Sequence, residues 1–137
     1  MTDTPTTNSQ TIDPGRNESA LIIIAHGSRL ASANEEFFEL VSTVANTTEG
    51  FGQVLPAFLE AAPPTLLQAC QTAVDAGARQ IAIYPLFFNN GRHVGKDIPA
   101  LVAEAMDHFP SIDFELRDYF GSNPQLAQTV IEHLKSS

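Results

Sequence analysis

Apolar runs separated by amphipathic stretches give the chain its main pattern. Residues 21–25 are apolar without a break and rich in isoleucine, which is typical of a strand buried on both faces. Residues 54–59 and 81–87 are two further apolar runs, and residues 114–119 alternate apolar with polar side chains. The pattern therefore predicts four strands, and Pro85 indicates that the third strand loosens near its end.

The stretches between these runs predict helices. Ser32 and Glu35 have the spacing of a capping box, and apolar side chains recur at helical spacing from there to Ala45. A second helix is predicted over residues 65–76, where Gly77 is suited to end it. Each of these helices connects one predicted strand to the next.

Two later helices are predicted from their start signals. Asp97 suits the N-cap of a third helix with Pro99 in its first turn, and Asn123 with Pro124 suits the start of a fourth. Three apolar residues share one face of that last helix: Leu126, Val130 and Leu134. Because strands and helices alternate, we expect an α/β fold with a four-stranded parallel sheet, strand order 2-1-3-4, and helices on both faces.

Composition indicates a single globular domain. Residues 1–19 are polar enough to predict a disordered tail, which leaves residues 20–137 as the domain. Hydrophobic residues make up 43% of the chain, but no apolar run reaches the roughly 20 residues of a membrane helix. The start of the chain lacks the pattern of a secretory signal, and the single cysteine, Cys70, cannot form an internal disulfide. Both features fit the cytoplasm.

The formal net charge of −9 argues against nucleic acid and anionic membranes as partners. Its distribution is uneven, since three of the seven cationic residues lie in two short stretches of the chain: Arg29, Arg92 and Lys96. These stretches could form a locally basic site on an acidic protein. Alternatively, the three charges simply lie in exposed loops.

Two histidines follow the predicted strands at the place where open parallel sheets bind ligands. His26 comes directly after strand one, and His93 comes in the loop after strand three. With strand order 2-1-3-4, the crevice at the carboxyl ends of these two strands is where the order reverses. The topology therefore places the two imidazoles across one crevice, where they could bind a borderline divalent ion and leave its other positions open.

Other interpretations of these residues remain open. Either histidine could instead be a loop residue bonded to the backbone. No Walker motif or GxGxxG supports a nucleotide site, and Ser28 lacks the Gly-x-Ser-x-Gly elbow of a hydrolase. His108 and His133 lie among polar residues of predicted helices and are expected at the surface, whereas Cys70 is expected in the core.

Several short stretches resemble one family. They are Ala25-His26-Gly27-Ser28-Arg29 with Asn34-Glu35, then Ala57-Phe58-Leu59-Glu60, Pro85-Leu86-Phe87, and Gly91-Arg92-His93 with Asp97-Ile98-Pro99. In this order, over about residues 20–135, the chain resembles the small class II chelatases, the short-form sirohydrochlorin cobaltochelatases and their nickel-inserting relatives. The resemblance implies a single-lobe chelatase-like fold and a homodimer.

The resemblance also implies roles for individual residues. His26 would be metal ligand and proton acceptor, and His93 the second metal ligand. The tetrapyrrole would lie against the segment that contains Phe88, Asn89, Asn90, Gly91, Arg92 and His93. Arg29, Arg92 and Lys96 would then pair with peripheral carboxylates of the macrocycle.

One position departs from the family pattern. Where similar sequences have a glutamate directly before the proline that opens the second helix, this chain has Pro63. Proline can neither accept a proton nor orient a ligand. Glu60, three residues earlier, is the candidate that could replace this catalytic carboxylate, or else it is a solvent-exposed residue at the end of a strand.

The function predicted from the sequence is insertion of a divalent metal ion into a sirohydrochlorin-type tetrapyrrole. Cobalt is the expected ion, with nickel and iron as alternatives, and the metal is a substrate, so no organic cofactor is expected. A non-catalytic carrier of tetrapyrrole or metal ions is the second interpretation, because Pro63 replaces the glutamate. A flavodoxin-like signalling domain is disfavoured, since no acidic cluster follows strand one.

Overall fold

Four parallel strands form the centre of the structure, a computed structural model that describes residues 18–137. The strands are β1 Ser19–Ala25, β2 Gln53–Phe58, β3 Gln80–Pro85 and β4 Asp113–Leu116. They lie in the order β2-β1-β3-β4, and each neighbouring pair is parallel. The predicted strand order and direction are therefore confirmed.

Helices connect the strands. Within residues 18–137 the α-helices are α1 Ala31–Thr47, α2 Leu66–Asp75, α3 Ile98–His108 and α4 Leu126–Ser136. A π-helical turn, His93–Asp97, leads directly into α3, and a short 3-10 turn, Phe120–Ser122, precedes α4. Within residues 18–137, no helix is long and apolar enough to cross a membrane.

The hydrophobic core lies on both faces of the sheet. Ile22 and Ile24 of β1 pack in one cluster with buried residues of α2 and α3, whereas Leu21 and Ile23 pack in a second cluster with Phe37 of α1. This alternation explains the unbroken apolar run of β1, because successive side chains enter different clusters and both clusters exclude water. Cys70 is a fully buried member of the first cluster, and desolvation raises the pKa of its thiol to about 12.

The predicted start of α1 is wrong. The helix begins at Ala31 with Leu30 as its N-cap, and no side chain caps it. Ser32 lies inside the helix, where it cannot serve as the cap. The turn before α1 is held instead by Ser28, whose Oγ accepts a hydrogen bond from the Leu30 amide at 3.0 Å and whose amide donates to Asn34 Oδ1 at 3.0 Å.

The other helix signals had mixed outcomes. Asp97 does occupy the N-cap position of α3, with Pro99 in the first turn, but its side chain makes no cap hydrogen bond. Asn123 Oδ1 accepts from the Gln125 amide at 2.9 Å, so it stabilises the turn before α4, and the helix itself begins at Leu126. Thr65 caps α2 in a full capping box with Gln68.

Two strands are shorter than the sequence predicts. β3 ends at Pro85 and β4 ends at Leu116. The proline has no amide hydrogen, so it cannot donate to a neighbouring strand, and β4 is an edge strand that pairs with β3 alone. The predicted tail lies outside the described residues up to position 17, whereas Ser19 is already the first residue of β1.

Candidate functional site

The two histidines are next to each other at the carboxyl edge of the sheet. His26 directly follows β1, and His93 begins the π-helical turn after β3. Their ring centroids are 4.9 Å apart, and the ring planes meet at 67°. The juxtaposition predicted from strand order is what the structure has, because β1 and β3 are adjacent parallel strands that end at the same edge.

The backbone sets the orientation of the His26 ring. Nδ1 lies 3.0 Å from the carbonyl oxygen of Gly27, so the hydrogen on Nδ1 donates to that carbonyl. This assigns the lone pair to Nε2, which faces Glu60 Oε2 at 3.6 Å. The backbone bond foreseen as an alternative role for His26 is therefore present, and it leaves the other ring nitrogen free to bind a proton or a metal ion.

Glu60 is held beside His26 by an extension of the sheet. Its amide donates to the carbonyl oxygen of His26 at 3.0 Å, and the amide of Leu59 donates to that of Ala25 at 2.8 Å. Gly27 has a φ of 95°, and a Cβ there would collide with the carbonyl oxygen of Glu60. Glycine is thus required for this close approach of the two loops.

The structure shows the orientation of the Glu60 side chain. Its carboxylate faces the His26 imidazole, although the side chain remains 62% exposed. Pro63 is exposed in the loop before α2. Glu60, and not position 63, therefore supplies the carboxylate next to His26.

A second carboxylate accompanies His93. Nδ1 of His93 lies 2.9 Å from Oδ2 of Asp97, four residues later in the π-helical turn, and both side chains are partly buried. This bond leaves Nε2 of His93 as the unoccupied ring nitrogen. Asp97 was predicted only as a helix cap, although a His-x-x-x-Asp spacing on a helical segment is itself a signal for such a pair.

The distance between His26 Nε2 and Glu60 Oε2 suits two donors to one ion. Two ligands at about 2.1 Å from a tetrahedral metal ion are about 3.4 Å apart, close to the observed 3.6 Å. Across residues 18–137, however, no three His, Cys, Asp or Glu side chains are arranged to hold one ion together. The arrangement thus differs from a closed structural site, in which four protein ligands complete the coordination.

The predicted binding segment is exposed around the two histidines. Phe88, Asn89, Asn90 and Gly91 are all exposed, whereas Phe87 is half-buried and packs behind the His93 ring, with 6.1 Å between ring centroids.

The cationic side chains next to this segment are available to an anionic ligand. Arg92 is 78% exposed, and its Nε is 4.0 Å from Asp97 Oδ1. Arg29 and Lys96 are exposed and form no ion pair with any residue of the described part of the chain.

Two curated relatives are sirohydrochlorin chelatases. The chain is 32% identical over 115 residues to the chloroplastic sirohydrochlorin ferrochelatase of Arabidopsis thaliana, covering 84% of this chain and 51% of that protein. It is 34% identical over 89 residues to the sirohydrochlorin cobaltochelatase of Methanocaldococcus jannaschii, covering 65% of this chain and 62% of that protein. The chain thus spans about half to three fifths of the length of these relatives.

A solved structure agrees with the fold. The sirohydrochlorin chelatase SirB from Bacillus subtilis subspecies spizizenii, in complex with cobalt, matches with a TM-score of 0.76 and 28% identity, over 87% of this chain and 50% of that one. The sequence profile of the CbiX family matches residues 20–137, which include the His26 loop, Glu60 and the turn that holds His93. The chain therefore belongs to the CbiX family.

Proposed function

We propose that this protein inserts a divalent metal ion into a sirohydrochlorin-type tetrapyrrole. The observation that carries the proposal is the contact of His26 with His93, in which each imidazole has one nitrogen engaged by a hydrogen bond and the other free. The names of the Arabidopsis and Methanocaldococcus relatives, both sirohydrochlorin chelatases, support it.

Metal insertion requires the macrocycle to lose two N–H protons while its nitrogens bind the ion. The free Nε2 of His26 and the carboxylate of Glu60 are two adjacent proton acceptors, 3.6 Å apart. One nitrogen cannot hold the ion and accept a proton at once, so His26 would bind the incoming ion first. After the ring nitrogens take over the ion, His26 and Glu60 can accept the two protons.

His93 would hold the ion from the other side of the crevice. Asp97 accepts the hydrogen bond from Nδ1 of His93, which fixes the ring and makes Nε2 a better donor to a metal ion. Asp97 is therefore a positioning residue. Since the protein provides few donors in total, the remaining positions on the ion stay open to the nitrogens of the macrocycle.

The surrounding side chains suit the rest of the substrate. Arg29, Arg92 and Lys96 would pair with peripheral carboxylates, with arginine able to form bidentate bonds. Phe88, which is 69% exposed, would contact the apolar face of the macrocycle. Asn89, Asn90 and Gly91 would line the same surface.

We propose cobalt as the ion, with iron and nickel as the alternatives. Imidazole and carboxylate ligands bind all three, so the donor set does not rank them, and the relatives include both a ferrochelatase and a cobaltochelatase. We further propose that the protein acts in the cytoplasm and as a homodimer. A carrier of tetrapyrrole or metal without turnover is the second candidate, favoured by Pro63, which stands where similar sequences have a glutamate.

An absorbance assay separates the two functions. Sirohydrochlorin is mixed under anaerobic conditions with the protein and Co²⁺, Fe²⁺ or Ni²⁺, and the spectrum of the metallated product is followed. We expect turnover above the spontaneous rate, loss of turnover in His26→Ala, and no change in His108→Ala, a matched control whose exposed imidazole lies at the end of α3. Spectral change on binding without metallated product would identify a carrier, and unchanged activity in His26→Ala would contradict the proposed site.

A further inference from the structure

The side chain of Asn34 pairs with both polar backbone groups of Ser28. Its Oδ1 accepts a hydrogen bond from the Ser28 amide at 3.0 Å, and its Nδ2 donates to the Ser28 carbonyl oxygen at 2.8 Å. Asn34 belongs to α1, which begins at Ala31, whereas Ser28 lies in the loop between β1 and α1. Because a side-chain amide carries both a donor and an acceptor, this one residue of the helix fixes the backbone of the loop on two sides.

One of these two bonds acts on the peptide group that orients His26. The carbonyl of Gly27 and the N–H of Ser28 belong to the same trans peptide group, so they point in opposite directions. The carbonyl oxygen lies 3.0 Å from Nδ1 of His26, and the N–H donates to Oδ1 of Asn34 at 3.0 Å. A single planar group therefore connects the side chain of Asn34 to the ring of His26.

This peptide group needs an anchor because glycine leaves it free to rotate. Gly27 has a φ of 95°, and glycine has access to more backbone conformations than any other residue. The side chain of His26 is 47% exposed, so water can compete for its ring nitrogens. The bond from the Ser28 amide to Asn34 restricts the peptide. It also polarises the Gly27 carbonyl, which strengthens the bond that this carbonyl accepts from His26.

The place of Asn34 in the helix supports a role in the loop. Asparagine is less favourable than alanine inside a helix, and no side chain caps α1. Asn34 is half-buried, whereas its neighbours Ala33 and Glu35 are exposed. What its side chain contributes is thus the pairing with Ser28.

We propose that Asn34 is a positioning residue that selects the tautomer of His26. By holding the peptide between Gly27 and Ser28, it keeps the Gly27 carbonyl in place to accept the hydrogen on Nδ1 of His26. The lone pair is then on Nε2, which faces Glu60. With the hydrogen on Nε2 instead, that nitrogen could bind neither a proton nor a metal ion. This role rests on the proposed function, in which His26 binds the ion, but the tautomer can be measured without turnover.

The first test is the tautomer of His26 in the metal-free full chain. ¹⁵N NMR of the imidazoles is recorded at about pH 8, where an unperturbed imidazole is neutral, and the signals missing in His26→Ala assign the ring. The parent should have the hydrogen on Nδ1, and Asn34→Ala should have a mixture of both tautomers. Asn34→Asp still offers an acceptor to the Ser28 amide and should stay close to the parent. The parental tautomer in Asn34→Ala, or a larger change in Asn34→Asp than in Asn34→Ala, overturns the proposal.

Two controls separate positioning from a loss of stability. Asn46→Ala makes the same replacement at an exposed position of α1. Gln53→Ala removes another bond between a side-chain amide and the backbone, from Gln53 Nε2 to the Ala73 carbonyl oxygen, at the amino end of β2. Both variants should keep the parental tautomer while circular dichroism shows that they are folded. A change in Gln53→Ala as large as in Asn34→Ala would indicate a general loss of stability and would overturn the proposal.

The second test asks whether Asn34 acts through His26. Titration calorimetry with Co²⁺ should show that Asn34→Ala weakens binding about 10-fold, the low end of the range for groups that orient a metal-binding histidine. In the His26→Ala background the same replacement should change the affinity little, because the ring that it orients is gone. An equal loss in both backgrounds overturns the proposal. If His26→Ala alone left Co²⁺ affinity unchanged, the proposed function would fail, while the NMR result would still decide the role of Asn34.

Discussion

His93 and Asp97 form a hydrogen-bonded pair within a single π-helical turn, with 2.9 Å between Nδ1 and Oδ2. The side chains of the pair are 42% and 33% exposed, compared with 47% for His26 and 62% for Glu60. Both imidazoles therefore have a fixed ring orientation, one through a carboxylate and the other through the carbonyl oxygen of Gly27. In each ring, Nε2 makes no hydrogen bond within the described part of the chain.

Replacing Asp97 should weaken metal binding without removing a ligand. Asp97→Asn keeps the shape but takes away the charge that holds the His93 ring, and a change of this kind typically costs 10- to 100-fold in metal affinity. Titration calorimetry with Co²⁺ measures the affinity, and ¹⁵N NMR of the imidazoles reports which nitrogen of His93 carries the hydrogen. Asp107→Asn, at an exposed position of α3, is the control. Equal affinity in the two variants would show that Asp97 serves only the fold.

Replacing Glu60 should affect the chemical step more than binding. Glu60→Gln keeps the side-chain size and loses the proton acceptor beside His26. We expect the insertion rate to fall by about 10²- to 10⁴-fold, the usual contribution of a positioned acid or base. Tetrapyrrole affinity, measured by fluorescence quenching, should change little. Glu36→Gln, on the exposed side of α1, is the control, and a full insertion rate in Glu60→Gln would remove Glu60 from the mechanism.

Gly27 should be far less tolerant of substitution than Gly77. Both glycines have a φ near 100°, but a Cβ at position 77 meets nothing within 4 Å, whereas one at position 27 collides with Glu60. Gly77→Ala should therefore cost only the penalty of the left-handed conformation, about 1–2 kcal/mol. Gly27→Ala should lower the free energy of unfolding further and weaken metal binding. Denaturant unfolding measures the loss of stability in the two variants, and calorimetry measures their metal affinity. An equal loss of stability in both would contradict the close approach of Gly27 to Glu60.

Cys70 should make the stability of the protein sensitive to alkaline pH. Burial raises the pKa of its thiol from 9.0 to about 12, so the folded protein keeps the proton that the unfolded chain releases. The stabilising effect is complete below about pH 9 and is lost as the pH rises toward 12, at up to about 1.4 kcal/mol per pH unit. Urea unfolding from pH 8 to 10.5 should show a steeper loss in the parent than in Cys70→Ala. If the free energy of unfolding fell equally with pH in the parent and in Cys70→Ala, the raised pKa of the Cys70 thiol would be contradicted.

The sheet could be predicted from the sequence because its central strands carry long apolar runs. The Leu21–Ile24 side chains are buried on both faces, and such a run has few alternatives to a central parallel strand. The position of the histidine pair followed from strand order, since His26 directly follows β1 and His93 lies in the segment that follows the adjacent strand β3. Local turn chemistry was harder to predict, because Ser28 and Ser32 both stand near the helix start, and the turn before α1 is bonded by Ser28 while no side chain caps the helix.

The role of Asp97 and the exposure of the apolar face of α4 could not be predicted from the sequence pattern. The role of Asp97 depends on a π-helical turn, which brings its carboxylate to His93 instead of to the helix end. The sequence indicated that Leu126, Val130 and Leu134 share one face of α4, yet no residue of this helix is buried in the described chain. An apolar face indicates only that something covers it, and the pattern cannot tell a neighbouring element of the same chain from a second copy.

The hydrogen bonds that carry the sheet past Ala25 and Phe58, into His26 and Glu60, join the backbones of the two loops. If these residues hold the ion as proposed, the two loops cannot separate without breaking those bonds. We therefore expect the ion to leave by ligand exchange, in which an incoming nitrogen replaces each protein donor in turn. The rate of ion release should accordingly rise with the concentration of a competing chelator, where a gated site would release its ion at one fixed rate.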